Sequence, residues 1–299
     1  MRGNALAHVM GIITVAIWGV TFVNTRYAIS SGLHPAELFF LRFSLAYLCI
    51  WAFTLVRSKR RTLWSDSFKD ELIFVLLGIT GGSLYFTTEN FAVKYTYVNN
   101  VSFIVCTAPL ITILLARMFT HGLRMSKRLI LGSLLALLGV GVVIFNGHFV
   151  LQLNPKGDLL ALSAAISWAV YSLVIKSVSD GRYGAIFVTR KVFAYGLLTI
   201  IPIFAFDPWH VSIDMLLRPA VWGNLLFLGI IASFACFVIW SWVIKNIGAL
   251  KATNYVYLNP VTTVVASAIA LDEPMTLLAG VGSALILAGV YFANTAKLN

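Results

Sequence analysis

The chain repeats itself. Ile17-Trp18-Gly19-Val20-Thr21 returns as Ser167-Trp168-Ala169-Val170-Tyr171, and Glu37-Leu38-Phe39-Phe40-Leu41-Arg42 returns as Ala185-Ile186-Phe187-Val188-Thr189-Arg190. Pro109 is matched by Pro260, and Gly132 and Gly139 by Gly282 and Gly289, all in the same order. Each half holds an odd number of apolar spans. A unit with an odd number of crossings, duplicated end to end, must insert its second copy upside down. Inverted repeats of this kind build secondary transporters, with a substrate site near the bilayer midplane between the halves.

The spans impose the fold class. Apolar runs of roughly 20 residues recur along the whole chain, each long enough to cross the hydrocarbon core as a helix. Barrel strands would alternate apolar and polar residues, and residues 129–145 do not. Hydrophobic residues make up 60% and charged residues 11%, with a mean hydropathy of +0.89. A soluble domain carries about 25% charged residues. The expected fold is an all-α polytopic membrane protein of ten transmembrane helices, near 8–28, 34–56, 71–93, 97–119, 127–146, 157–176, 184–206, 220–243, 249–271 and 276–295. They form two inverted five-helix repeats, 8–146 and 157–295.

The net charge of +11 does not point to nucleic acid, because the basic residues punctuate apolar spans. They read as cytoplasmic loop charges. With the N-terminus inside, Arg57, Lys59, Arg60, Arg61, Lys69, Arg117, Arg124, Lys127 and Arg128 fall on the cytoplasmic side. So do Lys176, Arg182, Lys245 and Lys251 of the second half, while Arg26, Lys94, Lys156 and Arg218 fall opposite. Both termini are therefore expected in the cytoplasm of a bacterial-type inner (plasma) membrane. The expected partners are the bilayer and a small-molecule substrate.

Catalysis is poorly supported. Cys49, Cys106 and Cys236 lie inside apolar spans without a CxxC spacing. The five histidines sit at span ends or in loops, and no HExxH, GxSxG or P-loop occurs. No catalytic residue, metal or cofactor is expected, and ATP is not the direct energy source. No cleavable signal peptide is expected either, since the first span carries Trp18, Asn24 and Thr25.

Several residues stand out against the apolar background. Gly78, Gly82, Tyr85 and Glu89 share one face of the third helix, and Gly229, Ser233, Cys236 and Trp240 repeat the spacing in the eighth. Such a stripe serves helix contact or lines a cavity. Glu89 is the acidic residue set well inside a span, which makes it a candidate for proton coupling or for binding a substrate amine. Pairing with Arg42 or Lys94 is the plainer alternative. Arg42 and Arg190 occupy equivalent depths and suit a structural or gating role, or a grip on a substrate carboxylate. Trp18 and Trp168, with Tyr171 beside the latter, sit on polar helix faces and suit stacking on a substrate or plugging a gate. The fourth and ninth helices carry Pro109 and Pro260 as hinges, gates or static kinks, with Asn254 and Tyr257 nearby. The fifth and tenth helices, rich in glycine, read as scaffold or as contacts of a homodimer. The expected cavity wall is Trp18, Tyr85, Glu89, Trp168, Tyr171, Trp240, Asn254 and Tyr257.

The chain resembles the drug/metabolite transporter superfamily, specifically an EamA-type permease with two EamA repeats. The likeness covers 8–295. It is carried by Trp18-Gly19, by Arg42 in FFLRFSLAYL, by VCTAPLITILLA around Pro109 and by LGSLLALLGVGVV. In the second half its carriers are Trp168-Ala169, Tyr257-Leu258-Asn259-Pro260-Val261, Asp272-Glu273-Pro274 and LAGVGSALILAGVYF. One departure is visible: the family commonly has an acid after the fourth helix too, where this chain has Thr120-His121-Gly122. The resemblance implies a basket of helices one to four and six to nine around a central cavity, buttressed by five and ten. It also implies secondary transport, mostly export of amino acids and other small metabolites, with the YddG-like aromatic amino-acid exporters as similar proteins. A passive facilitator of the same fold is the first alternative, and a lipid flippase or membrane-embedded enzyme the second.

Overall fold

In a membrane every backbone polar group must be satisfied within the protein, so apolar spans of this length become helices. The computed structural model describes residues 2–57, 63–96, 98–119, 126–145, 154–179, 182–206, 208–262, 265 and 276–296. Every regular element among them is helical, and nine helices are long and apolar enough to cross a membrane. They are labelled here by their place in the chain: α1 (Arg2–Ser30), α2 (Pro35–Arg57), α3 (Phe68–Tyr95), α4 (Val98–Val105 continuing as Ala108–Phe119) and α5 (Lys127–Phe145). The second half supplies α6 (Pro155–Ser179), α7 (Ala185–Phe206), α8 (Val221–Ile247) and α10 (Leu277–Asn294). Between the last two lies α9, a short helix Ala249–Thr253 that tightens into a 3₁₀ turn, Asn254–Leu258. The rest of the expected ninth span falls largely outside the described residues, as do Thr120-His121-Gly122 and Asp272-Glu273-Pro274. Gly248, at φ +81°, makes the one-residue corner between α8 and α9, a conformation open to glycine and strained for other residues.

Two helices change their winding at matching places. Residues Ile79–Ser83 of α3 and Phe227–Ala235 of α8 are π-helical. A π turn lifts carbonyls out of the i→i−4 ladder and is frequent at functional sites. Here the other half of the chain supplies donors. Ser167 Oγ donates to the Thr80 carbonyl at 2.8 Å, and Trp18 Nε1 donates to the Ala232 carbonyl at 2.9 Å. Each π segment is thus pinned by the first helix of the opposite repeat.

Packing interleaves the halves. α3 packs on α6 and α7, α8 on α1 and α2, and α5 on α10. The last pair meets backbone to backbone: a Cβ on Gly139 would lie 2.7 Å from the Gly282 carbonyl, and one on Gly289 2.6 Å from the Gly132 carbonyl. The glycine stripes are thereby filled within one chain. A homodimer through these helices would have to use their outer faces, where Leu131, Leu138 and Leu287 are exposed.

The two long connections dock onto the opposite half. Lys191 of α7 pairs with Glu71 at the start of α3, and Glu71 also accepts from Tyr195 and Ser65. Next to it, Asp70 accepts from Arg182 at 3.1 Å and from the Tyr183 hydroxyl at 2.9 Å. Burial pushes the Tyr183 phenol upward, so it stays protonated and able to donate. At the other face, Glu37 of α2 accepts from the backbone of His34, His210 and Val211, tying down the segment before α8.

Candidate functional site

A small cavity of about 30 Å³ lies between the halves. That is room for about one or two water molecules. Trp18, Phe22, Arg42, Tyr85 and Glu89 reach it from the first repeat, Trp168, Phe237 and Asn259 from the second.

Its floor is aromatic. Trp18 packs edge-on against Trp168, with centroids 5.3 Å apart, and at 5.0 Å against Trp240. Trp168 meets Tyr85 at 5.0 Å and Tyr171 at 5.1 Å, and Phe237 closes the layer. Edge-to-face contacts of this kind add about 0.5–1.5 kcal/mol each beyond area burial. A glycine of α3 lets the layer pack closely. A Cβ on Gly81 would sit 2.2 Å from the Tyr171 ring.

The lining also carries charge. Glu89 is 7% exposed and accepts a hydrogen bond from the Tyr85 hydroxyl at 3.0 Å. Arg42 is 3% exposed; its Nε donates to Ser233 Oγ at 2.6 Å, inside the π segment of α8. Its guanidinium lies 4.6 Å over the Phe86 ring. Among the described residues no ion pair within 4 Å joins Arg42 to Glu89, although both line the same cavity.

The two prolines reach the same place. Proline has no N–H, so Pro109 cannot donate to the Val105 carbonyl, nor Pro260 to that of Val256. Val105 and Val256 both line the cavity. The Val256 carbonyl instead accepts from the Asn259 N–H within the 3₁₀ turn and from the Cys106 thiol of α4 at 3.7 Å. Beside Pro260, α1 comes so close that a Cβ on Gly19 would fall 2.7 Å from the Asn259 carbonyl.

Of the residues expected to form the cavity wall, Trp18, Tyr85, Glu89 and Trp168 line it directly, and Tyr171 and Trp240 stand one ring behind. Asn254 turns away, toward Ser133 of α5 at 3.4 Å and Asn294 of α10 at 3.2 Å. Tyr257 is fully buried next to Val256. The paired arginines part company: Arg190 sits 4.4 Å over the Trp51 ring and does not line the cavity. Sequence reasoning passed over Lys191 and Glu71. A lysine several residues inside a span is itself a signal, since an intramembrane cation needs a partner.

Comparison with known proteins gives a consistent picture. The EamA-like transporter family matches residues 5–145 and again residues 155–295. An uncharacterized transporter of Archaeoglobus fulgidus is 27% identical, covering 98% of this chain and 99% of the relative. A probable terminal-alkyne amino-acid exporter of Streptantibioticus cattleyicolor is 27% identical, covering 96% of this chain and 93% of the relative. A solved crystal structure superimposes with a TM-score of 0.74 at 19% identity, covering 97% of this chain and 96% of the other, which shows the shared fold. With nine apolar helices among the described residues and both halves matched in turn, the chain is an integral membrane transporter and belongs to the EamA-like transporter family.

Proposed function

We propose that the protein is a secondary transporter that exports small metabolites, amino acids foremost, across a bacterial-type inner membrane by alternating access. The observation that carries this reading is the cavity. It is lined from both repeats, holds an acid, a base and a layer of aromatic rings, and is too small for an amino acid as it stands. A route that must widen to accept its cargo is a route with gates, not an open pore. Proline hinges at Pro109 and Pro260 and the π segments of α3 and α8 surround it, supplying points where helices can bend. The amino-acid exporter among the relatives supports the substrate class.

Counterflow in proteoliposomes tests the proposal. Vesicles preloaded with an unlabelled amino acid are expected to take up the labelled compound faster than empty ones. No exchange with any amino acid would overturn the substrate class. A proton gradient across the same vesicles separates coupled transport from a facilitator. Gradient-driven flux is expected in the native protein and lost in Glu89→Gln; flux indifferent to the gradient in both would leave Glu89 without a coupling role.

A further inference from the structure

We infer that the cavity reads both charges of a zwitterion, with Arg42 holding a carboxylate and Glu89 an ammonium group. The inference rests on the amino-acid reading above and specifies it. Its starting point is the gap between two charges. Arg42 and Glu89, both buried at membrane depth, line one small cavity and attract each other across it without an N···O contact within 4 Å. Closing that gap would strengthen the attraction. Instead each is held by a neutral side chain of its own: Tyr85 donates to Glu89, and Ser233 accepts from Arg42 Nε. Those bonds fix the two groups and leave most of their capacity unspent. Arg42 has one of its donors committed among the described residues, so its terminal nitrogens are available for the two oxygens of a carboxylate. Glu89 keeps Oε2 for a cation.

A ligand with one charge would neutralise one wall and leave the other bare. A zwitterion completes both. The repeat sharpens the point. The position of Glu89 is taken by Trp240 in the second half, and Arg190 lies over Trp51, away from the cavity. The opposed charges therefore occur once, at one pole, and orient the ligand so that its side chain meets the Trp18, Trp168 and Phe237 floor.

Competition in the counterflow assay tests this on the unmodified protein. The neutral L-amino acid that exchanges best is challenged with two analogues, the amine lacking its carboxylate and the acid lacking its ammonium. Each is expected to compete at least tenfold more weakly, about 1.4 kcal/mol. In Glu89→Gln the penalty against the deaminated acid should shrink while that against the amine persists; Arg42→Gln should do the reverse. Where a variant fails to insert, the native competition series still decides. Analogues that compete within threefold of the parent would overturn the clamp while leaving amino-acid transport standing. Absence of exchange with every amino acid would overturn both.

Discussion

Lys191→Met is the perturbation whose consequences the structure fixes best. The Lys191 ammonium pairs with Glu71 between α7 and α3, with side-chain exposures of 7% and 12%. Removing one partner of a buried pair costs about 3–5 kcal/mol, because the other charge is left uncompensated. Glu71 keeps donors from Tyr195 and from both the hydroxyl and the backbone of Ser65, which places the cost near the low end, about 3 kcal/mol. For a chain of this size that is a fall in the unfolding midpoint of about 5 °C. The decisive measurement is a double-mutant cycle read by thermal unfolding in detergent. Lys191→Met with Glu71→Gln removes both charges, and replacing a whole buried pair is often neutral. The double variant should therefore recover most of the loss, with a coupling of about 0.5–3 kcal/mol. If Lys191→Met unfolds at the native temperature, or the two single losses simply add, the pair does not bind α7 to α3 and the reasoning fails.

Two further outcomes follow from the backbone. Gly139→Ala places a Cβ 2.7 Å from the Gly282 carbonyl and should cost about 1–3 kcal/mol by thermal unfolding. Gly141→Ala, whose Cβ meets only Phe103 at 3.5 Å, should stay within about 0.5 kcal/mol; equal effects would mean that the α5–α10 contact is looser than drawn. Trp18→Phe keeps an aromatic ring but strips the donor from the Ala232 carbonyl, a loss of about 1–3 kcal/mol for an unsatisfied buried group. Amide exchange should quicken across Phe227–Ala235 and not across Ile79–Ser83, which Ser167 holds; uniform protection would count against the pinning.

The duplication, the spans and most of the aromatic layer were legible in the sequence because each rests on residue type and spacing. An apolar run of 20 residues has few alternatives in a membrane. Gly78 and Gly82 at helical spacing announce a close approach, which is made with Tyr195 and Gly196 of α7. Two features were not legible. The π winding of α3 and α8 has no composition of its own; it depends on donors from Ser167 and Trp18, far away in the chain. The facing of Asn254 was hidden for a related reason. Its helix tightens to 3₁₀ over Asn254–Leu258, which rotates each residue relative to an α-helical projection. Lys191 stands out in the sequence as an intramembrane cation, but its partner Glu71 lies on a helix of the other repeat, which spacing alone does not reveal.

Matching positions and mismatched ones divide differently between the two repeats. Pairs that match between the repeats take matching structural places: Pro109 and Pro260 interrupt equivalent helices, and Gly132, Gly139, Gly282 and Gly289 let α5 and α10 meet closely. Yet matching residues need not share a setting. Arg42 reaches the cavity through Ser233, whose counterpart in α3 is Gly82, a residue that cannot hold a guanidinium. Arg190 lies over the Trp51 ring. Two arginines that the sequence presents as equals thus stand in different settings. The same logic applies to Tyr85 and Glu89, replaced by Cys236 and Trp240. A symmetric frame can rock, but a ligand with distinct ends needs walls that differ, and the differences here converge on one cavity.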